Sequence, residues 1–416
     1  MLYLGTLLGS IFSPLFIIFA IVVFGYLVGA IKIKGISLGT AGVLLIALAV
    51  GIIFSQCGEM VESVNANGET VKQCVWEFTI GGKTVTLWNK SVQSVFSFVS
   101  KLGTGMFVTA VGLIAGPKFF RSFNKSMLSY LAMGAIVILT GVLLAILVCV
   151  ITGTDIAMCT GLLTGALTST PGLSAAQDAA TGVALEKVTA GYAIGYLYGV
   201  LGVVLFVQII PKLLKVDIAK ERESFVAASA VAVNESEKKR FQIGEFGFFP
   251  FALTVMLGIL LGSIKIGIFS LGTSGGTLIA GLIIGHFGHV GKIDLTVPKS
   301  TLNFFREFGL VMFLIGAGLP GGISFIDNFK PLYFLYGVIF TTVPMIVGFV
   351  LAKYVFKLSI FNNLGSITGG MTSTPALGSL ISVAGTDDVA SAYAATYPVA
   401  LVLIVIASNL MILIGA

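Results

Sequence analysis

Charged residues are scarce in this chain of 416 residues. Asp, Glu, Lys and Arg together make up 10% of it, whereas 56% of the residues are hydrophobic and the mean hydropathy is +1.05. A soluble domain needs charged side chains to cover its surface, so this composition excludes one. Apolar stretches of about 20 residues, long enough to cross a bilayer, recur along the sequence. We therefore predict an all-α polytopic protein embedded in a lipid bilayer.

Histidine and cysteine are also scarce, with two and four residues respectively. No CxxC or Cys/His spacing is present, so the sequence indicates no metal site and no cofactor. Both histidines lie close together in the second half and no aspartate pair recurs in both halves, which argues against an intramembrane enzyme. The net charge of +6 is spread over loops without a basic stripe and interleaved aromatics, so no nucleic-acid partner is expected.

What the sequence does contain is an internal duplication. Four segments recur in the same order in both halves: GYLVGAIKIKGISLGTAG from Gly25 and GILLGSIKIGIFSLGTSG from Gly258, LGTGMFVTAVGLIAG from Leu102 and FGLVMFLIGAGLPGG from Phe308, TGALTSTPGL from Thr164 and TGGMTSTPAL from Thr368, and YAIGY from Tyr192 and YAATY from Tyr393. Four ordered matches indicate a repeat of about 200 residues. We accordingly divide the chain into a first transmembrane repeat (1–211), a linker (212–247) and a second transmembrane repeat (248–416).

The number of membrane crossings follows from the positions of lysine and arginine. No basic residue precedes the first apolar block, unlike in a signal peptide, and Lys32 and Lys34 after it place the N-terminus outside. The linker holds the only long charged run and is expected in the cytoplasm. About five transmembrane helices plus one re-entrant or broken helical hairpin per half satisfy these constraints, which makes the second repeat inverted and both termini extracytoplasmic. A proline-broken block that spans fully, with another block failing to cross, is the alternative.

A polar segment, residues 57–93, interrupts the first repeat. Apolar residues alternate with threonine around Gly81-Gly82, and Asn67-Gly68 is a second turn signal, a pattern typical of β-hairpins. We predict a small extracytoplasmic β-rich flap here. Cys57 and Cys74 flank part of this segment, and a disulfide between them is expected in an oxidising compartment. Two free thiols are the alternative.

The most informative repeated motif is TSTP, a polar, proline-containing sequence inside an apolar block. A residue before proline disfavours helical geometry, whereas threonine at the N-cap and proline in the first turn favour a helix start. Each motif is predicted to end one helix and begin another within the membrane, which is tolerated only beside protein or a polar cavity. The candidate substrate-binding residues in these motifs are Thr168, Ser169, Thr170, Pro171 and Gly172 in the first half and Thr372, Ser373, Thr374, Pro375 and Ala376 in the second.

A restarted helix presents free N–H groups and a partial positive charge, which suit an anion. In an inverted repeat the two helix starts converge near the midplane, where many secondary transporters bind substrate. We expect a small anionic metabolite with two carboxylates, or with one carboxylate and a bound cation. Two tight turns whose hydroxyls cap helices and touch no ligand are the structural alternative. Converging half-helices favour the occluded site of a carrier over the continuous pore of a channel.

Arg306 and Glu307 are rare charged residues inside an apolar block, at the start of the third span of the second half. Arg306 is a candidate to bind a substrate carboxylate bidentately, with Glu307 tuning it. A snorkelling arginine, or an Arg–Glu surface pair, is the alternative. In the first half Ser100 aligns with Arg306 and Lys101 lies beside it, so the site is expected to be asymmetric.

Four further candidates adjoin the motifs. Gln177 and Asp178 follow the first motif by about two helical turns. They are candidates for coupling, since Asp178 either binds a proton or Na⁺ or lies at a solvated helix end. Tyr393 and Tyr397 share one helix face near the second motif, and they either contact substrate or belong to the interfacial tyrosine belt.

The two TSTP segments, together with REFGLVMFLIGAGLPGG, MFVTAVGLIAGPKFF and IKIGIFSLGTSGG, resemble the aspartate:alanine exchanger family of secondary transporters with duplicated membrane domains. The resemblance covers both halves, without the flap and the linker. It implies a bacterial inner-membrane antiporter, often dimeric and with an elevator-like motion, that exchanges aspartate for alanine or moves succinate or glutamate. Many members carry cytoplasmic regulatory domains between the halves, for which the linker is too short. A Na⁺- or H⁺-coupled carboxylate symporter on the same scaffold is the alternative function.

Overall fold

The structure is a computed structural model that describes residues 13–33, 36–37, 39–64, 70–80, 83–119, 125–218, 221, 241–266, 269–270, 272–386 and 389–415. Most of these residues are helical, as the composition predicts. Six of the described helices are long and apolar enough to cross a membrane, and shorter apolar helices accompany them. Most of the predicted linker, and the predicted turn signals Asn67-Gly68 and Gly81-Gly82, lie outside the described residues.

The helices of the first repeat are α1 (Pro14–Ala30), α2 (Ala41–Cys57), α3 (Lys90–Phe119), α4 (Lys125–Thr152), α5 (Ile156–Ala166), α6 (Thr170–Ala179) and α7 (Gly182–Leu213). Those of the second repeat are α8 (Phe248–Ser263), α9 (Gly272–Phe287), α10 (Lys299–Ile323), α11 (Phe325–Asn328), α12 (Pro331–Tyr354), α13 (Ile360–Gly370), α14 (Thr374–Ala384) and α15 (Ala390–Gly415). Apart from the short α11, the second repeat has the same helix order as the first.

The broken hairpin that the TSTP motif predicts occurs once in each repeat, as α5–α6 and as α13–α14. Besides the hairpin, each repeat has three helices that are long enough to cross a membrane, α3, α4 and α7 in the first and α10, α12 and α15 in the second, and two shorter helices before them. Five helices and one hairpin in each repeat agree with the predicted inverted repeat. The end of the bundle at which α7 ends and α8 begins is called the linker side below.

The helices form two groups. The first three helices of each repeat, α1–α3 and α8–α10, pack mainly against one another and are called the scaffold group. The helices that follow, α4–α7 and α12–α15, surround the two hairpins and are called the hairpin group. Contacts between the two groups are fewer than the contacts within each, so the surfaces between them leave room for cavities.

Glycines allow the close helix crossings in the scaffold group. A Cβ atom at Gly42 would overlap the backbone of Gly25 and Gly29, where α2 crosses α1. In the second repeat Gly276 meets Gly258 and Gly262 in the same way. The gapless sequence alignment pairs Gly42 with Gly275 instead, so the structure shifts the pairing by one residue at the start of α9.

The predicted β-rich flap is a three-stranded antiparallel sheet of β3 (Glu59–Val64), β4 (Thr70–Ile80) and β5 (Lys83–Trp88). The remaining strands are two-residue pieces: β1 (Lys32–Ile33), β2 (Ile36–Ser37), β6 (Phe241–Gln242), β7 (Lys265–Ile266), β8 (Phe269–Ser270), β9 (His289–Val290) and β10 (Ile293–Asp294). Trp88 is buried at the base of the flap, between Phe54 of α2 and Phe96 of α3. This aromatic packing fixes the flap to one end of the bundle, which is called the flap side below.

The disulfide expected between Cys57 and Cys74 is not formed, because both thiols are free. Cys57 is exposed at the C-terminal end of α2, whereas Cys74 is buried on β4. The Sγ of Cys74 donates a hydrogen bond to the carbonyl oxygen of Phe54 at 3.3 Å. The Cys74 side chain is thus directed into the aromatic packing under the flap, and this correction favours the alternative of two free thiols.

Candidate functional site

Each TSTP motif breaks its hairpin through a threonine with left-handed backbone. Thr168 has φ +52° and Thr372 has φ +50°, a conformation that β-branched residues rarely adopt. In both hairpins the next residue, Ser169 or Ser373, is the N-cap of the following helix, and proline lies in its first turn. The Ser169 hydroxyl accepts a hydrogen bond from the backbone N–H of Gly172 at 3.2 Å. The motif thus starts a helix as the sequence predicts, but the N-cap is the serine, one residue before the threonine that was expected there.

The two hairpin tips contact each other. The Thr168 hydroxyl donates to the carbonyl oxygen of Met371 at 2.9 Å, and the Thr372 hydroxyl donates to the carbonyl oxygen of Leu167 at 2.9 Å. All four residues are buried. These two reciprocal bonds, called the tip clasp below, join equivalent atoms of the two repeats. The predicted convergence of the two helix starts is therefore present in the structure.

A cavity of about 580 Å³ opens at the tip clasp. Among its lining residues, the hairpin group contributes Thr168, Thr170, Pro171, Tyr196, Gln208, Thr372, Pro375, Gly378, Ser379, Ser382 and Tyr397, and the scaffold group contributes Gly39, Thr40, Phe107, Arg306, Glu307 and Leu310. Gln208 lies near the end of α7 and Ser382 near the end of α14, both toward the linker. The cavity is therefore called the linker-side cavity, and it lies between the two helix groups.

Arg306 lies in the second turn of α10 and lines the linker-side cavity. It forms no ion pair with Glu307, although the two are adjacent in sequence; among the described residues the one ion pair is Lys187–Asp155. Glu307 is instead held by Tyr26 of α1, whose hydroxyl donates to the carboxylate oxygen Oε1 at 2.6 Å. The Arg–Glu surface pair considered above is thus absent, and the guanidinium faces the cavity without a carboxylate partner.

Several other candidate residues lie behind the cavity wall. Ser169, Gly172, Ser373 and Ala376 are buried and do not line it, so they support the tips from within the protein. Thr374 begins α14, and its backbone is part of that helix. The Ser373 hydroxyl is buried without a hydrogen-bond partner in the structure.

The tyrosines are packed inside the protein and do not form an interfacial belt. Tyr192, Tyr196 and Tyr397 are all buried. The rings of Tyr393 and Tyr397 stack with their centroids 5.0 Å apart, and those of Tyr192 and Tyr196 lie 5.1 Å apart. Tyr397 and Tyr196 line the linker-side cavity, whereas Tyr393 does not.

Gln177 and Asp178 do not line the cavity at the tips. They line a second cavity of about 840 Å³ that also contains Met60, Cys74 and Trp88 of the flap, and it is called the flap-side cavity. Gln177 donates to the hydroxyl of Thr189 at 2.9 Å. The coupling role suggested for these two residues stays a prediction, since the structure places them away from the candidate substrate residues.

Sequence reasoning missed some residues of the linker-side cavity. Gln208 donates to the hydroxyl of Ser379 at 2.9 Å, which joins α7 to α14 across the cavity wall. A single amide inside an otherwise apolar helix is a recognisable signal for a functional position. Gly39 and Thr40 belong to the repeated LGT segment, but nothing in their composition indicates that they face the candidate site.

The chemistry of this cavity favours an anion. Two helix N-termini meet at the tip clasp, and each brings a partial positive charge. The guanidinium of Arg306 adds a positive charge and a planar set of donors that matches a carboxylate. The carboxylate of Glu307 also lines the cavity, but it accepts the hydrogen bond of Tyr26, which leaves the Arg306 donors available. Threonine and serine hydroxyls and the Gln208 amide add neutral hydrogen-bonding groups. Within the described residues no cluster of His, Cys, Asp and Glu could hold a metal ion.

Comparisons with known proteins show the family of this chain. The family described as "Predicted Permease Membrane Region", the aspartate–alanine exchanger family, matches residues 77–212 and 250–413. An uncharacterized transporter of Bacteroides fragilis is 24% identical over 95% of this chain and 97% of its own length. A putative transport protein of Edwardsiella ictaluri is 32% identical over 46% of this chain and 36% of its own length. The alignment to the Bacteroides protein is longer than this whole chain, so that relative carries segments that the chain lacks.

Proposed function

Because the chain belongs to the aspartate:alanine exchanger family of membrane transporters, we propose that it is a secondary antiporter of small carboxylates. The exchanged pair is of the aspartate:alanine or C4-dicarboxylate type. One observation carries this proposal: two helix N-termini and the unpaired guanidinium of Arg306 face one cavity that is open to one side of the bundle. Such a cavity neutralises carboxylate charge without a metal ion.

The structure also supports alternating access as the transport mechanism. The linker-side and flap-side cavities both lie between the scaffold group and the hairpin group, at opposite ends of the bundle. The residues of the tip clasp line only the linker-side cavity. The candidate site is thus reached from one side in this conformation, which is the behaviour of a carrier and not of a continuous pore.

The proposal includes a cellular setting. We place the protein in a bacterial inner membrane with the linker in the cytoplasm and both termini outside, so that the linker-side cavity opens to the cytoplasm. A homodimer with an elevator-like displacement of the hairpin group against the scaffold group is proposed from the family resemblance and from the division into two helix groups.

The decisive residue for this proposal is Arg306. In proteoliposomes that exchange aspartate, alanine or succinate, Arg306→Ala is expected to weaken dicarboxylate exchange by about tenfold to a hundredfold, since hydrogen bonds to a charged group contribute about 1.5–3 kcal/mol. The exchange rate of Arg306→Lys is expected to lie between those of the unsubstituted protein and Arg306→Ala, because lysine keeps the positive charge but lacks the planar guanidinium. Lys299→Ala is the matched control, because it removes a cation from the exposed start of the same helix α10.

Unchanged dicarboxylate exchange in Arg306→Ala would remove this residue from the site and weaken the proposal. Two further measurements separate the alternatives. Internal unlabelled substrate accelerates the uptake of label through a carrier but not through a channel. An imposed Na⁺ or H⁺ gradient drives net uptake into empty vesicles only if the protein is an ion-coupled symporter.

A further inference from the structure

The two cavities are related by the internal repeat. Ser100 and Thr104 of α3, which line the flap-side cavity, align with Arg306 and Leu310 of α10, which line the linker-side cavity. The same relation holds for the hairpin helices, because Ser174 and Asp178 of α6 align with Gly378 and Ser382 of α14. Each cavity therefore has a counterpart at the opposite end of the bundle, and the two ends can be compared contact by contact.

On the flap side, Asp178 joins the hairpin group to the scaffold group. Its carboxylate lies against the first turn of α9, beside the backbone of Gly272, Thr273 and Ser274. The contact with Gly272 is so close that a Cβ atom there would lie 2.5 Å from Oδ2 of Asp178. A carboxylate at a helix N-terminus satisfies N–H groups that the helix leaves free and opposes the positive end of its dipole. Lys101 of α3 faces the same cavity and also attracts this carboxylate.

On the linker side, the equivalent contact is open. Gly39 precedes α2 in the same way that Gly272 begins α9. Among the residues that the structure describes, none lies within 4 Å of a Cβ atom added at Gly39. Ser382, which aligns with Asp178, lines the linker-side cavity and donates its hydroxyl to the carbonyl oxygen of Gly378 in its own helix. A second contact also differs between the two ends of the bundle. On the flap side, the hydroxyl oxygen of Ser174 lies 3.5 Å from the hydroxyl oxygen of Thr104. Its counterpart Gly378 has no neighbour within 4 Å of an added Cβ atom.

We propose that Asp178 is the latch that holds the hairpin α5–α6 against the N-terminus of α9 and so closes the flap-side route to the tips. The proposal rests on the transport function proposed above and adds to it a gating residue. In the opposite conformation the Asp178 contact is broken, and α14 approaches the N-terminus of α2 near Gly39. Because serine replaces aspartate at position 382, the linker side has no charged latch of its own.

The first test is the sidedness of thiol labelling. Thr170→Cys, introduced after the four native cysteines are replaced by serine, reports on the tips, since Thr170 lines the linker-side cavity. A membrane-impermeant maleimide, applied from each side of oriented membrane vesicles, is expected to react faster from the linker side. With Asp178→Ala added, we expect flap-side labelling to rise about tenfold, a typical effect for losing a charged hydrogen bond. Unchanged sidedness in this variant would overturn the proposal.

The second test moves the latch to the other repeat, and it does not depend on how well Asp178→Ala folds. Ser382→Asp places a carboxylate opposite the open N-terminus of α2 at Gly39, and Ser382→Asn is the matched control of similar size without the charge. Ser382→Asp is expected to slow linker-side labelling of Thr170→Cys by about tenfold, and Ser382→Asn much less. Equal effects of the two substitutions would refute the latch. Because labelling needs no cargo, this outcome is independent of whether the protein exchanges carboxylates.

Discussion

The tip clasp requires left-handed backbone at two threonines, and this leads to a specific prediction for their substitution. Thr168 and Thr372 both adopt a positive φ, although glycine adopts that conformation without strain. Threonine is therefore disfavoured by the backbone and favoured only by its side chain, whose hydroxyl donates across the clasp at 2.9 Å in both cases. Removing the hydroxyl while keeping the branched shape separates these two effects.

The expected magnitudes follow from the geometry. A buried hydroxyl-to-carbonyl bond contributes about 1 kcal/mol to the free energy of unfolding, and roughly 0.6 kcal/mol on average between membrane helices. The left-handed backbone costs a threonine about 1–2 kcal/mol. Thr168→Val loses the bond and keeps the strain, so the free energy of unfolding should fall by about 1 kcal/mol. Thr168→Gly loses the bond and the strain together, so the net change should be smaller.

Coupling between the two bonds provides the strictest form of this prediction. When one bond is lost the tips can move apart, so the second bond should weaken. The double variant Thr168→Val/Thr372→Val should therefore lose less free energy of unfolding than the sum of the two single variants, by about 0.5–1 kcal/mol. The measurement is a double-mutant cycle by detergent-titrated unfolding, followed by the helical circular dichroism signal. Additive effects would show that the two bonds act independently, and single effects within experimental error of zero would show that the clasp bonds contribute nothing. Loss of exchange in Thr168→Gly, with its stability kept, would show that transport needs the clasp itself.

Two further predictions concern the flap and the scaffold group. Because Cys57 is exposed while burial raises the pKa of the Cys74 thiol, a maleimide at neutral pH should label Cys57 rapidly and Cys74 slowly. Labelling of neither thiol until a reductant is added would instead reveal the disulfide. Gly42→Leu should abolish the monodisperse peak in size-exclusion chromatography, because any side chain there overlaps the backbone of Gly25. Gly105→Ala is the control, since a Cβ atom at that position meets nothing within 4 Å, and equal behaviour of both variants would contradict the packing argument.

The sequence alone predicts much of this fold, because its strongest signals are local or repeated. Proline after threonine inside an apolar block predicts a helix break, and the breaks at Thr170 and Thr374 are where this rule places them. The order of the repeated segments predicts the duplication, and the positions of lysine and arginine predict that the second copy is inverted. The turn signals Asn67-Gly68 and Gly81-Gly82 in the sequence correctly predict that β3, β4 and β5 pair as neighbours.

Contacts between residues far apart in sequence could not be predicted in this way. The partner of Glu307 is Tyr26, 281 positions away, so the adjacent Arg306 is left unpaired. Asp178 resembles a solvated helix end in the sequence, because the helix start that it contacts belongs to the other repeat. The disulfide prediction was wrong for a related reason: the spacing of two cysteines does not show that one of them is turned into an aromatic cluster.

The positions at which the two repeats differ determine which of the two conformations is preferred. Two identical inverted halves would give two conformations of equal free energy, in which the open and closed ends are exchanged, and neither side would be preferred. Here Asp178 of the first repeat corresponds to Ser382 of the second, and Arg306 of the second corresponds to Ser100 of the first. The latch is therefore present only on the flap side, and the guanidinium only on the linker side. An interaction that exists in only one conformation shifts the equilibrium by its full free energy, about tenfold for each 1.4 kcal/mol. In the proposed cycle, the latch at Asp178 favours the conformation whose tips open to the linker side, and a cargo carboxylate that binds at Arg306 has to overcome that preference.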